Sequence, residues 1–260
     1  MKLLDYLWRL FVTVLGFSVF GLAGLIIGLV LFPLMFLFIR DPHVRHVKAR
    51  RLIGAAFGGF VWLISSVGVL TYEIRGKENI LPGRSQLIIA NHPTLIDVVF
   101  LISIFPQADC VIKQAVTRNP FMRSTVAAAN YISNSEPDDL LDSCVARLES
   151  GGSLLLFPEG TRSTSGHDLE FKLGAAAVAA RACAEILPVV ITCVPGFLSK
   201  QDPWHKVPRV RPHITIRIMP ATTAEELAPG EHDQRQWRRS LNDAIQALIT
   251  RELDRMGLFS

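Results

Sequence analysis

The apolar and polar positions of this 260-residue chain fall into two regimes that change near residue 70. From Leu10 to Ile39 no charged residue interrupts thirty positions. As a helix rising ~1.5 Å per residue, that run is longer than a hydrocarbon core of ~30 Å requires. A second apolar run follows from Leu52 to Leu70. Gly58, Gly59, Ser65, Ser66 and Gly68 make it a poor lipid-facing helix, so the two runs predict a membrane-embedded helical hairpin, or a re-entrant and interfacial pair. Lys2 and Arg9 precede the first run as in a signal peptide, but a 7–15-residue apolar core is far shorter and no small-x-small cleavage site follows. A retained anchor is therefore expected. Gly24 and Gly28 are spaced so that another helix could approach closely, although glycine is also simply common in membrane helices.

Beyond residue 70 the pattern switches to short apolar runs alternating with helical periods, which predicts an α/β domain. Strands are expected at Val69–Arg75, Gln86–Ala90, Asp109–Ile112, Ser153–Phe157, Ile186–Val194 and His213–Met219. Helices are expected at Thr94–Ile104, from Asn119-Pro120 onward, at Pro137–Ser150 and at Phe171–Ala184. Asparagine before proline suits a helix start, and Gly151-Gly152 suits the end of the third helix. From Asp233 a final amphipathic helix places Trp237, Leu241, Ile245, Leu248 and Ile249 on one side, as a core-facing stripe. The reading is thus an N-terminal two-helix membrane motif over residues 1–70, then a domain over 71–260 with a mixed, mostly parallel sheet flanked by helices.

Composition sharpens this in three ways. Charged residues make up 19% of the chain against about 25% in average soluble proteins. Because the apolar excess sits before residue 70, the remaining length is enough for one domain with its own core. The formal charge of +4 suits an anionic membrane surface or an acidic carrier, and no aromatic-interleaved basic patch or nucleic-acid motif is present. No nucleic-acid partner is expected. Arg40, Arg45, Lys48, Arg50 and Arg51, with His43 and His46, read as a cytoplasmic segment facing anionic lipid. Cys110, Cys144, Cys183 and Cys193 show neither a Cys-x-x-Cys pair nor zinc spacing with histidine. They are expected as buried free thiols in a reducing compartment, with no metal and no cofactor implied.

Candidate chemistry lies just past two of the expected strands, where open α/β sheets hold their ligands. Asn91-His92-Pro93-Thr94-Leu95-Ile96-Asp97 follows the first. A neutral imidazole at His92 can take a hydroxyl proton, and Asp97, little more than a helical turn on, can orient it and stabilise the imidazolium. Phe157-Pro158-Glu159-Gly160-Thr161-Arg162-Ser163 follows the second. Arg162 offers a planar fork suited to phosphate, and backbone amides around Gly160 and Thr161 could bind phosphate or an oxyanion. Taken singly, a helix-capping histidine and a surface aspartate would be ordinary. The two motifs together suggest deprotonation of a hydroxyl beside an anionic group.

His-x-x-x-x-Asp followed about sixty residues later by Phe-Pro-Glu-Gly-Thr-Arg-Ser resembles the glycerolipid acyltransferase family, the relatives of 1-acylglycerol-3-phosphate O-acyltransferase. The resemblance runs from about Val69 to Pro195. It implies a membrane-bound enzyme that moves an acyl chain from acyl-CoA or acyl-carrier protein to the hydroxyl of a lysophospholipid or related glycerolipid. His92 and Asp97 would be catalytic, with Glu159 and Arg162 binding the acceptor. Lys172, in Phe171-Lys172-Leu173-Gly174, matches the family's Phe-Lys-x-Gly run. The two-helix motif implied by the family favours a hairpin that keeps the catalytic domain on the cytoplasmic side of a bacterial-type inner membrane. Two full spans would carry it away from cytosolic acyl donors.

One motif departs from the pattern. Where the family carries Gly-x-x-Phe/Ile-x-Arg, this chain reads Ala129-Asn130-Tyr131-Ile132-Ser133-Asn134-Ser135, without the glycine or the arginine. The missing charge disfavours lysophosphatidic acid as acceptor and favours another lipid hydroxyl or a lysophospholipid with a head group. Lys113, Arg118 or Arg123 could supply a cation instead. The stretch from Arg118 to Tyr131 is similar to bacterial acyltransferases of specialised fatty-acid or aryl-polyene pathways, which implies a specialised lipid as an alternative product. Among other classes, serine chemistry lacks a Gly-x-Ser-x-Gly elbow around Ser163, and metal hydrolysis lacks histidines at ligand spacing. A lipid-binding or hydrolase relative stays open.

Overall fold

A computed structural model describes residues 3–81, 83–112, 114, 119, 122–133, 137–163, 169–230 and 233–257. The chain opens with α1 (Leu3–Ile26), which passes through a five-residue π turn (Ile27–Leu31) into α2 (Phe32–Phe38). Pro33 explains the wide turn, since its ring has no N–H and crowds the carbonyl four residues back. A sharp reversal at Asp41, whose carboxylate accepts from the His43 and Val44 amides, starts α3 (Pro42–Ser66).

The two helices of the expected hairpin are present, but they face different surroundings. Leu3–Phe38 is the one helix among the described residues long and apolar enough to cross a membrane, and only 11% of its most apolar window is buried. α3 turns inward instead. Ala49, Ile53, Phe57, Phe60, Val61 and Ile64 join the same core as Phe100, Leu101 and Ile102 of the α/β domain. The apolar run from Leu52 is therefore core helix as far as Ser66, and Gly54 within it serves close packing. A Cβ at Gly54 would lie 2.6 Å from the Pro106 side chain. Gly28 of the spaced pair does permit close approach: a Cβ there would meet Ser124.

The domain beyond is built on seven strands: β1 (Thr71–Arg75), β2 (Gln86–Ala90), β3 (Asp109–Ile112), β4 (Ile132–Ser133), β5 (Leu154–Leu156), β6 (Glu185–Val194) and β7 (His213–Ile218). Their order is β1-β7-β6-β2-β5-β3-β4, with only β6 and β7 antiparallel, so the sheet is mixed and mostly parallel as the sequence predicts. Every residue of β2 is buried, as expected of a central parallel strand covered on both faces. The covering helices are α4 (Asp97–Ile104), α5 (Arg123–Ala129), α6 (Pro137–Glu149), α7 (Gly174–Ala182), the short α8 (Ala224–Leu227) and α9 (Gln234–Arg255). On α9, Leu241, Ile245, Ile249 and Leu253 are buried, so its stripe faces the core.

Several boundaries moved for identifiable reasons. α4 begins at Asp97 rather than Thr94, because the Thr94 amide is held by the Asp97 carboxylate. α5 begins at Arg123; Asn119 supplies the carbonyl for the Met122 and Arg123 amides, and Pro120 lies outside the described residues. α7 is shorter than expected because Phe171 bonds Gln246 and Asn242 of α9 through its amide and carbonyl. Strand β4 at the sheet edge was not expected. Nor are all four thiols buried: Cys183 is exposed, in a left-handed turn after α7, and Cys193 is partly exposed. Burial pushes the Cys110 thiol up to about 12 and that of Cys144 to about 11.

A buried ion cluster fastens α3 to this sheet. Arg50 Nη2 lies 2.5 Å from Asp109 Oδ1, and its Nε donates to the Ala129 carbonyl at 2.8 Å. Arg147 Nε sits 2.6 Å from the other carboxylate oxygen, out of hydrogen-bond alignment. Burial nonetheless pushes the Asp109 pKa up, against the pull of both arginines.

Candidate active site

Adjacent parallel strands put the two motifs side by side. β2 and β5 pair from Leu87–Leu154 to Ile89–Leu156, so their following loops leave the same edge about 4.8 Å apart. Asn91 fixes the start of the first loop: its side-chain amide donates to the Ile191 carbonyl at 2.8 Å, and its oxygen accepts from the Ile191 amide at 2.7 Å. The loop is thereby fastened to β6 as if the ladder continued one residue further.

Within that loop His92 Nδ1 lies 2.8 Å from Asp97 Oδ2. Asp97 is fully buried at the first residue of α4, where free helical amides favour a carboxylate. It also accepts from the Thr94 amide at 2.6 Å and the Thr94 hydroxyl at 2.5 Å. Three donors thus lock the carboxylate in one orientation. Its bond to Nδ1 sets the tautomer with the proton there, which leaves Nε2 as the free acceptor nitrogen. The imidazole face is covered by Phe157, stacked at 4.3 Å with an interplanar angle of 26°. The histidine side chain keeps 16% exposure, enough to be reached from outside.

The second loop is tied to the first through Glu159. Its Oε1 accepts from the His92 amide at 2.9 Å and from the Ser163 hydroxyl at 2.8 Å, while the Ser163 amide donates to the His92 carbonyl at 2.8 Å. Glu159 is buried, and burial pushes its carboxyl pKa up, partly offset by the His92 and Ser163 hydrogen bonds. Gly160 has φ +64°, a left-handed conformation that a side chain strains. A Cβ there would also lie 3.1 Å from Lys172 Nζ, so Lys172 stands directly over the turn. Its amide donates to the Pro158 carbonyl at 2.9 Å.

Arg162 is placed differently from a simple anion ligand. Its Nη1 donates to the carbonyls of Leu198 and Ser199 at 3.0 and 2.8 Å. Leu198 O also accepts from the Leu95 amide at 3.0 Å, midway along the loop that carries His92 and Asp97. A third segment, residues 195–199, therefore braces both motifs. Leu198 is buried with φ +55°, and the Val194–Pro195 peptide is cis. The sequence reading missed this segment. Only the Val194-Pro195-Gly196 break after a long apolar strand signals an irregular turn there. It also missed Asn91, Thr94 and Phe157 as supporting groups.

Of the expected site residues, His92, Asp97, Glu159, Gly160, Thr161, Arg162 and Lys172 come from loops that meet at this edge. Lys113 and Arg118 lie outside the described residues, as do Asn134 and Ser135. Arg123 is exposed at the start of α5. Near Asn130 and Tyr131, where the family's arginine is missing, a guanidinium from α3 is close among the described residues: Arg50 reaches the Asn130 carbonyl at 3.4 Å, but it is held by Asp109.

A model of an acyltransferase family matches residues 71–192, which include both motifs. The chain is 31% identical over 178 residues to a 1-acyl-sn-glycerol-3-phosphate acyltransferase of Pseudomonas aeruginosa, covering 65% of this chain and 66% of that protein. It is 29% identical to the enzyme of the same name from Limnanthes alba, covering 74% and 68%. The chain thus spans about two thirds of the length of these relatives. In three dimensions it is similar to the crystal structure of the 1-acyl-sn-glycerophosphate (LPA) acyltransferase PlsC from Thermotoga maritima. That likeness has a TM-score of 0.66 at 20% identity, covers 96% of this chain and 98% of the other, and speaks to the fold.

Proposed function

Since the chain belongs to the glycerolipid acyltransferase family, we propose that it moves an acyl chain from an acyl thioester to the hydroxyl of a glycerolipid. The donor is acyl-CoA or acyl-carrier protein, and His92 is the general base. The observation that carries this reading is the His92 Nδ1–Asp97 contact at 2.8 Å with the carboxylate fully buried and triply held. Nε2 takes the hydroxyl proton as the oxygen attacks the thioester carbonyl. The tetrahedral intermediate collapses with loss of the thiolate, which recovers the proton, leaving an ester. Asp97 stabilises the imidazolium in between.

Arg162 has a divided role. Nη1 holds the 195–199 segment, while Nε and Nη2, which have no partner among the described residues, are offered to an anionic group of the acceptor. Lys172, over Gly160, adds a second cation beside the same turn. Glu159, spent on the His92 amide and Ser163, contributes to acceptor binding by holding the two loops together. The relatives' named substrate, 1-acyl-sn-glycerol-3-phosphate, is the first acceptor to test. Beside it stand head-group lysophospholipids, favoured by the absent arginine at 129–135. Attachment to the cytoplasmic leaflet is through the exposed apolar side of α1 and α2, with α3 as the helix that joins them to the domain.

Thioester cleavage measured with and without lysolipid tests the class, because a transferase needs the acceptor and a hydrolase does not. His92→Ala should lower transfer roughly 10²–10⁴-fold with acceptor binding kept. Full activity in that variant would refute the mechanism.

A further inference from the structure

The connection from β6 to β7, residues 195–212, lies at the same sheet edge as His92 and Glu159. One end is part of the site, through Leu198 and Ser199. The rest is fastened to the N-terminal helices. Arg9, buried within α1, donates from Nη2 to the Arg209 carbonyl at 2.9 Å. Trp204 meets the Phe17 ring edge-on at 5.7 Å. Arg211 Nη2 donates to the carbonyls of Ser65 and Leu70 at 2.9 and 3.0 Å. Arg9 and Phe17 are about 12 Å apart along the helix at ~1.5 Å per residue. The loop therefore runs alongside the first half of α1.

What this loop leaves outside is unusual for a polar connection. Trp204 is 46% exposed and Val210 67% exposed. Between Lys200 and Arg211 there are four cations, Lys200, Lys206, Arg209 and Arg211, against the single carboxylate of Asp202, which Lys206 pairs at 2.6 Å. α1 itself exposes Trp8 and Phe11, and Trp8 Nε1 donates to the Val67 carbonyl, in the turn between the two carbonyls that Arg211 binds. Exposed tryptophan and aliphatic residues among cations, continuous with an apolar helix face, have the chemistry of a bilayer interface. Each cation near an anionic leaflet contributes about 1 kcal/mol.

We propose that this loop is a second membrane-contacting element, seating Trp204 and Val210 at the head-group boundary of an anionic bilayer. Lys200 and Arg209 then lie over lipid head groups. The contact sets the mouth of the site on the leaflet that carries its lipid acceptor. The proposal rests on membrane attachment through α1. An acidic carrier protein would also meet the cations, but it gives no reason for exposed Trp204 and Val210 beside an apolar helix.

The chain has four tryptophans, Trp8, Trp62, Trp204 and Trp237, so full-length variants keeping only Trp204 or only Trp8 report on each element separately. In vesicles of phosphatidylethanolamine and phosphatidylglycerol, lipids with brominated acyl chains should quench both reporters, and Lys200→Gln with Arg209→Gln should weaken quenching of Trp204 alone. Quenching of Trp8 without Trp204 overturns the proposal while leaving the α1 anchor intact. Quenching of neither overturns both. Protection of Trp204 by acyl-carrier protein, with lipid without effect, assigns the loop to the acidic partner and also overturns it. A single change in the native background guards against misfolding of the reporters. Val210→Asp should raise the apparent KM several-fold for a vesicle-borne acceptor and leave a short-chain soluble acceptor unchanged; equal effects on both refute the membrane contact.

Discussion

Asp97→Asn isolates the charge of the buried carboxylate from its geometry. The side chain is isosteric, and its remaining oxygen, at the position of Oδ2, can still accept from His92 Nδ1 and the Thr94 amide. The new amide group then faces the Thr94 hydroxyl, which can turn to accept rather than donate. The fold should therefore hold. What disappears is the attraction between the carboxylate and the imidazolium formed as the acceptor loses its proton. Two unit charges about 4 Å apart interact by ~4 kcal/mol at an effective dielectric constant near 20. At ~1.36 kcal/mol per decade, that corresponds to a loss of about 10³-fold in kcat. Acceptor KM should change little, since no charge is present on the imidazole in the ground state. The assay is release of free thiol from an acyl thioester at saturating lysolipid, with thermal unfolding in detergent measured on the same samples. Near-normal kcat would refute the charge argument. A lost kcat accompanied by a large fall in Tm would instead make Asp97 a structural cap, and Asp97→Ala provides the contrast, since it strips three partners at once and should lower Tm as well.

Three further outcomes follow from other contacts. Burial holds the Glu159 carboxyl above its ordinary 4.5, and such a group contributes stability that is present below that value and lost as pH rises through the folded-state pKa. Glu159→Gln keeps an oxygen for the His92 amide and Ser163, so its Tm relative to the wild type should increase as pH rises from 4.5; a pH-independent difference would contradict this. Asp109→Ala leaves Arg50 buried without its counter-charge and should destabilise by about 3–5 kcal/mol, read as a lowered Tm in detergent; an unchanged Tm would show that the cluster does not fasten α3. Arg162→Ala should lower kcat with every acceptor by freeing the 195–199 segment, and raise KM more for a phosphorylated acceptor than for an unphosphorylated one; equal KM effects would remove the phosphate role, and unchanged kcat the bracing role.

The parts of this molecule legible in the sequence are those whose physics is local. β2 carries four successive apolar residues after Gln86, all buried, and β6 a longer and mostly apolar run, so hydrophobicity alone announces them. His92 and Asp97 share one loop-helix junction, and Glu159 to Arg162 share one turn, so spacing reveals each motif. What spacing could not reveal is how α3 packs. Its stretch from Leu52 to Ser66, uncharged and with glycines, reads the same whether its partner is lipid or α4. Only the tertiary contacts of Ile53, Phe57 and Phe60 distinguish the two. The 195–199 segment is illegible for a related reason. Leu198 acts through its carbonyl oxygen, which every residue possesses, so no residue type marks the position.

That carbonyl also alters what the motif arginine means in this chain. Leu198 O accepts from Leu95, between His92 and Asp97, and from Arg162, in the second motif. The two motifs are thus joined directly, through Glu159 to the His92 amide and through the Ser163 amide to the His92 carbonyl, and again through Leu198. The direct bonds hold the base against the glycine turn; the link through Leu198 ties the base loop to the connection that lies along α1. A residue whose fork bridges backbone carbonyls with one nitrogen and keeps two more free can brace the base and meet an anionic acceptor at once. Lysine, with one nitrogen, cannot reproduce that division, which is why Arg162 is the position where charge conservation alone should not preserve function.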